Sequence, residues 1–383
     1  MPTSTDRIRT THVGSLPRPE DVTDLVFARE RDGTVDEEAF ERVVSRAVDD
    51  TVARQKATGI DLPSDGEMSK ISYATYIKDR LTGFEGDSPR RAPADLKRFP
   101  SFLERQAKGG GTPSYRRPEC VGPIEVKDLG PLHDDIRWMK AAMERHGVEE
   151  GFMNSATPGV IALFQPSRHH ASHRDYLEEV AEAMRHEYEA IVEAGLILQL
   201  DSPDLGLGRH MMFPDLDDEA FVRQAEEHVE VLNHALRNVP GERVRIHVCW
   251  GNYEGPHVCD IALGKVLPVV LRAKPRALLF EAANPRHAHE WRAWQENEIP
   301  DDYTLIPGVI DTTTNFVEHP RLVADRIECF VDLVGAERVI AGTDCGFATF
   351  AGFGAVDAEI AWAKLGSLAE GAAIASASLG GGR

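Results

Sequence analysis

Along most of the chain, amphipathic helical stretches alternate with short runs that are apolar almost throughout, and the alternation repeats eight times. A strand that is followed by a helix and then by another strand must return parallel to the first, and parallel strands are buried on both faces. The stretch 36–58 puts Phe40, Val43, Val44, Ala47 and Val48 on one stripe, stops at Gly59, and leads into 60–67. Ser172 caps a helix over 172–194 that Gly195 ends, and the run 196–200 then closes on Asp201. Helices over 216–239, 260–274, 286–298 and 320–334 give way to strands over 243–249, 277–281, 303–311 and 338–345. Further strands are expected at 11–15 and 152–157, and a last helix over about 357–373 precedes a Gly/Ser tail. Eight such units predict an α/β chain closed into a (β/α)8 TIM barrel. An open doubly wound sheet is the alternative, although no GxGxxG follows an early strand.

A barrel needs about 250 residues, and the chain has 383. The surplus falls at about 83–148, where Pro93, Pro100, Pro113, Pro118, Pro123, Pro131 and the run Gly109, Gly110, Gly111 break the rhythm. This stretch reads as an insertion after the second βα unit, in part a lid, within a single TIM-barrel domain over 1–383. It has too few periodic apolar positions for a core of its own. Lys plus Arg number 43 against 63 Asp plus Glu, a net charge of −20, and an acidic surface repels nucleic acid and anionic lipid. The cysteines are Cys120, Cys249, Cys259, Cys329 and Cys345. They are too few and too scattered for a disulfide framework and suit metal binding in a reducing compartment. No signal-peptide core opens the sequence and no apolar run is long enough to span a membrane, so a cytoplasmic protein is expected.

Ser15, Glu67, Asp201, His247, Cys249, Glu281, Asp311 and Cys345 all fall at or just past the ends of expected strands. In a barrel those ends converge on one mouth, where active sites are built. His247 and Cys249 are alternate residues of a strand and share a face. With Glu281 and Cys345 they offer an imidazole, two thiolates and a carboxylate, a donor set that suits Zn²⁺; the competing reading is small buried residues with a satisfied histidine. His257 and Cys259 repeat the same spacing on a loop or first helical turn, where capping or packing is favoured over a metal. Asp201 must be met by a partner or a ligand, and a substrate ammonium suits it; Glu67 can share that task, or both can serve caps or ion pairs. Thr157-Pro-Gly159 reads as a tight turn. A loop entering a helix accounts for His169, His170 and His173 as well as catalysis does, and Trp291 and Trp294 suit packing.

The segments Thr10–Arg18, Asp65-Gly-Glu67, Leu198–Asp201, His247-Val-Cys249, Glu281 and Thr343-Asp-Cys-Gly346 resemble, in order, the catalytic domain of the cobalamin-independent methionine synthase family. The resemblance implies a (β/α)8 barrel shared with uroporphyrinogen decarboxylase. It implies zinc at His247, Cys249, Glu281 and Cys345, and homocysteine at Val13, Gly14 and Ser15, with Glu67 and Asp201 on its amino group. Zinc lowers the pKa of the acceptor thiol, and the thiolate attacks an alkyl carbon in line. Three departures accompany it. There is room for one barrel rather than two. Thr313 replaces a proton-donating histidine, and Leu207 replaces a folate-contacting glutamate, while Phe164 stands where a tryptophan stacks on the pterin. The expectation is a zinc-dependent S-methyltransferase or alkyltransferase of methionine biosynthesis, with a small thiol acceptor and a folate or corrinoid donor, and with no general acid assigned. A zinc transferase joining coenzyme M to an epoxide, a metal-free decarboxylase and a non-catalytic zinc protein are the alternatives. The oligomeric state stays open, and a homo-oligomer is compatible with each reading.

Overall fold

The computed structural model describes residues 7–89, 92–108 and 116–381. Its strands in chain order are β1 (Arg9–Thr10), β2 (Phe84–Glu85), β3 (Glu119–Cys120), β4 (Phe152–Ala156), β5 (Ile197–Asp201), β6 (Val244–Val248), β7 (Ala277–Glu281), β8 (Thr304–Ile310) and β9 (Ile340–Thr343). Seven of them form one curled parallel sheet in the order β1-β9-β8-β7-β6-β5-β4, and β2 with β3 makes a separate antiparallel pair. The fold is mixed α/β. The edges of the large sheet approach each other through residues 60–64, by parallel bridges between Thr11 and Leu62 and between Ser64 and Phe152.

The second strand expected in 60–67 is thus only a pair of isolated bridges. Pro63 offers no amide to a ladder, and the Asp61 carboxylate accepts hydrogen bonds from Arg7 (2.7 Å) and the Thr10 amide (2.9 Å). The first strand lies earlier than the expected 11–15. Thr10 pairs with Ala341 in β9, after which the Val13 amide turns to Thr343 Oγ1 (3.2 Å) and that of Gly14 to His12 Nδ1 (3.2 Å). The chain has left the sheet before Ser15.

Period-two alternation sorts the strand residues. Leu198, Leu200, Val244, Ile246, Val248, Leu278 and Phe280 join the large core under the helices, while Val13, Leu62, Phe152, Ile197, Ala277, Leu279, Ile306 and Ile340 form a second cluster inside the curl. In β6 the inner position is Arg245. It is fully buried, with its guanidinium 3.5 Å from the Phe152 ring centroid and donating to Gln199 Oε1, Thr11 Oγ1 and the His12 carbonyl.

The helices Glu37–Thr58 and His173–Glu193 carry their expected caps: Asp36 Oδ1 accepts from the Ala39 amide, Ser172 Oγ from that of Asp175, and Gly59 ends the first at φ 94°. Leu263–Val270 and Trp291–Gln295 are shorter than expected. Asn284 Oδ1 accepts from the Arg286 and His287 amides and holds that stretch in a turn. The final helix, Ala358–Gly381, runs through the expected tail, because Ala372 and Ala375 are buried and Ser376 Oγ accepts from the Ile8 amide. The stretch 83–148 holds β2, β3, the helices Ala94–Lys97 and Pro100–Lys108, and the 17-residue helix Gly130–His146. That last helix buries Leu132, Ile136, Met139 and Ala142 and packs on Glu37–Thr58 in the helical layer. The run Gly109–Gly111 and Pro113 lie outside the described residues. Among the described residues, no helix is long and apolar enough to cross a membrane.

Candidate active site

The alternation that sends Ile197, Ala277 and Leu279 inward also sends Gln199 and Asp201 of β5, His247 of β6 and Glu281 of β7 inward, at the C-terminal ends of neighbouring strands. Cys249 follows β6 by one residue and Cys345 follows β9 by two. His247, Cys249 and Cys345 are buried and place one ligand atom each within 4.8 Å of the others. Glu281 lies beside them, Oε1 4.0 Å from the Cys345 sulfur. Its carboxylate also accepts from the Trp250 amide (2.7 Å) and the Asn284 side chain (2.6 Å), as ligating carboxylates typically do. Asn284 is fixed in turn by Asp344, which also accepts the Ala282 and Ala283 amides.

The electrostatics of this group suit a cation. The Cys345 thiol turns toward Cys249, which holds Cys249 well below and Cys345 well above the usual thiol range. Burial opposes a charged His247, but Cys249, Asp201 and Glu281 together hold the imidazole above its ordinary value. Burial pushes Glu281 up to about 8, His287 opposing and Cys249 reinforcing the shift. His247 Nδ1 is buried with no hydrogen-bond partner. Two sulfurs, an unpaired imidazole nitrogen and an adjacent carboxylate fit tetrahedral Zn²⁺.

Carboxylates occupy the other side. Asp201 accepts from Asn154 Nδ2 (2.9 Å) and Gln199 Nε2 (3.1 Å), and burial raises its pKa while His247 lowers it. Glu67 sits in the left-handed region at φ 57°, is buried, and leaves Oε2 without a partner. Burial is the main cause that lifts it to about 7, with Lys70 opposing and Asp201 adding to the rise. Asn154 also donates to the Val13 carbonyl (2.9 Å), while its own Oδ1 is unpaired. Gly14, at φ +146°, has to be glycine, since a Cβ there would lie 2.2 Å from Asn154 Oδ1. Gly346 is needed for the same reason against Ser15 Oγ, at 2.1 Å. The loop after β1 therefore threads between Asn154 and the loop that carries Cys345, and Ser15 accepts from the Phe347 and Ala348 amides of the latter.

Other residues singled out above serve elsewhere. Asp311 caps its own turn, accepting from Thr313 and Thr314. His170 pairs with Glu179, and His173 with His228. Trp294 packs on Phe280. Phe164 is buried edge-on against Tyr73, which leaves no open stacking platform. Thr157 caps the helix Pro158–Phe164. Asn154, Gln199, Asn284 and Asp344 were missed in the sequence. For Gln199 the signal was present, since it shares a strand face with Asp201.

A family model described as "Cobalamin-independent synthase, Catalytic domain" matches residues 114–358. A methionine synthase of Sulfurisphaera tokodaii is 23% identical over 341 residues, 88% of this chain and 85% of that one. A methionine synthase of Saccharolobus solfataricus is 24% identical over 370 residues, 95% and 94% of the two chains. The structure of a B12-independent methionine synthase from a Shewanella species, in complex with selenomethionine, superposes with a TM-score of 0.72 at 18% identity, over 97% of this chain and 99% of that chain.

Proposed function

The chain belongs to the family of cobalamin-independent synthase catalytic domains, and from that membership and the chemistry of its site we propose a methionine synthase-like enzyme that transfers a methyl group to the sulfur of homocysteine. His247, Cys249 and Cys345 would hold zinc, with Glu281 alongside. Zinc held there would supply a Lewis acid that favours the thiolate form of an acceptor thiol at neutral pH, where neutral thiols are poor nucleophiles.

The protein's own groups do the rest. Glu67 and Asp201 face the acceptor's ammonium group, and Asn154 and Gln199 hold Asp201 in place. Val13, Gly14 and Ser15 line the acceptor on the side of β1. Burial of every one of these groups excludes water and strengthens each charge interaction. One observation carries the reading. Glu67 Oε2 and Asn154 Oδ1 are buried and unpaired beside Asp201, and His247 Nδ1 is unpaired in the thiol cluster next to it; an ammonium would satisfy the first two while the zinc that takes the ligand's thiol would satisfy the third.

The same pair of carboxylates weighs against the alternatives. The sulfonate of coenzyme M would meet like charge there, and so would the carboxylates of a decarboxylase substrate. The parallel bridges of residues 60–64 support an eighth strand position that closes the sheet into a (β/α)8 ring, in one domain over 1–383 with the inserted stretch confined to about 83–129. The test is methionine formation from homocysteine by the zinc-loaded chain, with methyltetrahydrofolate as monoglutamate and as triglutamate. Methionine formed with either donor supports the proposal. No methionine with either donor, together with turnover of coenzyme M and an epoxide, overturns it.

A further inference from the structure

A second cluster lies outside the one described. His257 and Asp260 follow β6, His287 follows β7, and His210 sits on the short helix Gly208–Met211 after β5. His257 Nδ1 is 2.9 Å and His287 Nε2 3.1 Å from Asp260 Oδ2, and His210 Nε2 is 3.2 Å from Asp260 Oδ1. The side chains of Asp260, His210 and His287 are 2–4% exposed. We propose that His210, His257, Asp260 and His287 form a second metal site, of the kind that takes Zn²⁺ or another divalent transition metal, separate from the thiol cluster.

Hydrogen-bond bookkeeping supports it. His257 Nε2 is 3.0 Å from the Tyr253 carbonyl, which only accepts, so Nε2 carries a hydrogen. His287 Nδ1 is 2.7 Å from Glu290 Oε2 and carries one for the same reason. Glu290 is itself fixed, because its other oxygen accepts the Leu263 amide at 2.7 Å. The remaining ring nitrogens, His257 Nδ1 and His287 Nε2, both face Asp260. A metal-ligating histidine typically donates its other ring N–H to a carbonyl or a carboxylate, and here both do. Two lone-pair nitrogens against a carboxylate repel unless something positive lies between them.

Protons on both rings would also meet that need, but they leave His210 unexplained. Neither of its ring nitrogens has a hydrogen-bond partner, nor does Asp260 Oδ1. A cation bound by all four residues satisfies Asp260 Oδ1 and one His210 nitrogen together. His257, Asp260 and His287 already place one ligand atom each within 4.8 Å of the others, and His210 adjoins them through Asp260 Oδ1 and would have to move in to join. Ligand atoms on tetrahedral zinc stand about 3.4 Å apart, a few tenths of an ångström beyond the three distances seen. Imidazole and carboxylate donors suit zinc, and imidazole also suits nickel, copper and iron. Among the described residues only Glu67 and His257 are non-glycine residues with positive φ, one at each site, and strain of this kind gathers at functional positions.

Such a metal would clamp three successive loops over the sheet. Trp250 stacks on His287, with centroids 4.3 Å apart, while its amide holds Glu281, so the clamp would steady the border of the thiol cluster.

The test is metal content of the full chain after dialysis against zinc and removal of the excess. The expected result is two zinc ions per chain. Cys249→Ser/Cys345→Ser should keep one, and Asp260→Asn/His287→Gln should keep the other. Cobalt in the cysteine variant should absorb in the visible without a sulfur-to-metal charge-transfer band. A cysteine variant that is folded by circular dichroism yet binds neither zinc nor cobalt overturns the second site. If that variant does not fold, the unmodified chain decides, and saturation at one zinc overturns it. Loss of metal from the cysteines alone leaves the second site standing and counts only against the thiol cluster, so the two failures are distinguishable.

Discussion

Glu67 bears the cost of the arrangement at the scale of one residue. It is buried at φ 57° with an unpaired oxygen, and burial, with Asp201 and Asp65 adding and Lys70 and Arg18 opposing, lifts it to about 7 from an ordinary 4.5. A carboxyl with a raised folded-state pKa stabilises the fold fully below the unfolded value, and that contribution is lost as pH rises through the folded one. The ligand-free chain should therefore lose stability between about pH 4.5 and 7. Glu67→Gln should remove that loss and gain on the order of 1–3 kcal/mol at pH 8, read from denaturant unfolding at the two ends of the window. The same change should weaken homocysteine binding roughly tenfold to a hundredfold and leave a thiol without an amino group little affected. Equal losses for both thiols would make Glu67 structural. The burial of Asp201 was legible in the sequence because it ends an apolar strand, whereas Glu67 lies in a turn past the isolated bridges of residues 60–64. The partners of His257 were not legible. Its sequence neighbour Cys259 drew attention, whereas two of its companions, His210 and His287, come from other elements, and spacing along the chain says nothing about those.

At the scale of elements, period and caps were readable. The helices Glu37–Thr58, His173–Glu193 and Pro320–Val334 agree with expectation to about a residue, since their caps and stripes are local. Gly130–His146 was lost because Pro131 and its neighbours read as loop, yet proline is tolerated in the first turn of a helix. Arg245 and Gln199 were passed over because a strand end draws the eye to its last residue, and the inner layer beneath it was read as aliphatic. The loop after β1 gives a prediction at this scale. Gly14→Ala should destabilise the chain by roughly 1–3 kcal/mol and displace Asn154, reducing homocysteine affinity. Gly33→Ala, at φ +69° with nothing within 4 Å, is the control that bears backbone strain alone. Thermal unfolding and homocysteine titration of both variants check this, and equal effects would contradict the contact with Asn154.

Over the whole molecule the net charge of −20 sets the approach of substrates. A triglutamate tail carries several negative charges toward an acidic surface. The triglutamate donor should be slower than the monoglutamate, and added salt should raise its kcat/KM by screening the repulsion. A rate that falls with salt would instead point to a basic track for the tail. The central claim, that the thiol cluster activates homocysteine, does not depend on the donor. It is tested most directly by titrating homocysteine into the zinc-loaded chain by calorimetry, in two buffers of different ionisation enthalpy. The account predicts binding with release of about one proton near neutral pH, and loss of that binding in the folded Cys249→Ser/Cys345→Ser variant. Binding without proton release, or undiminished binding by that variant, would contradict it.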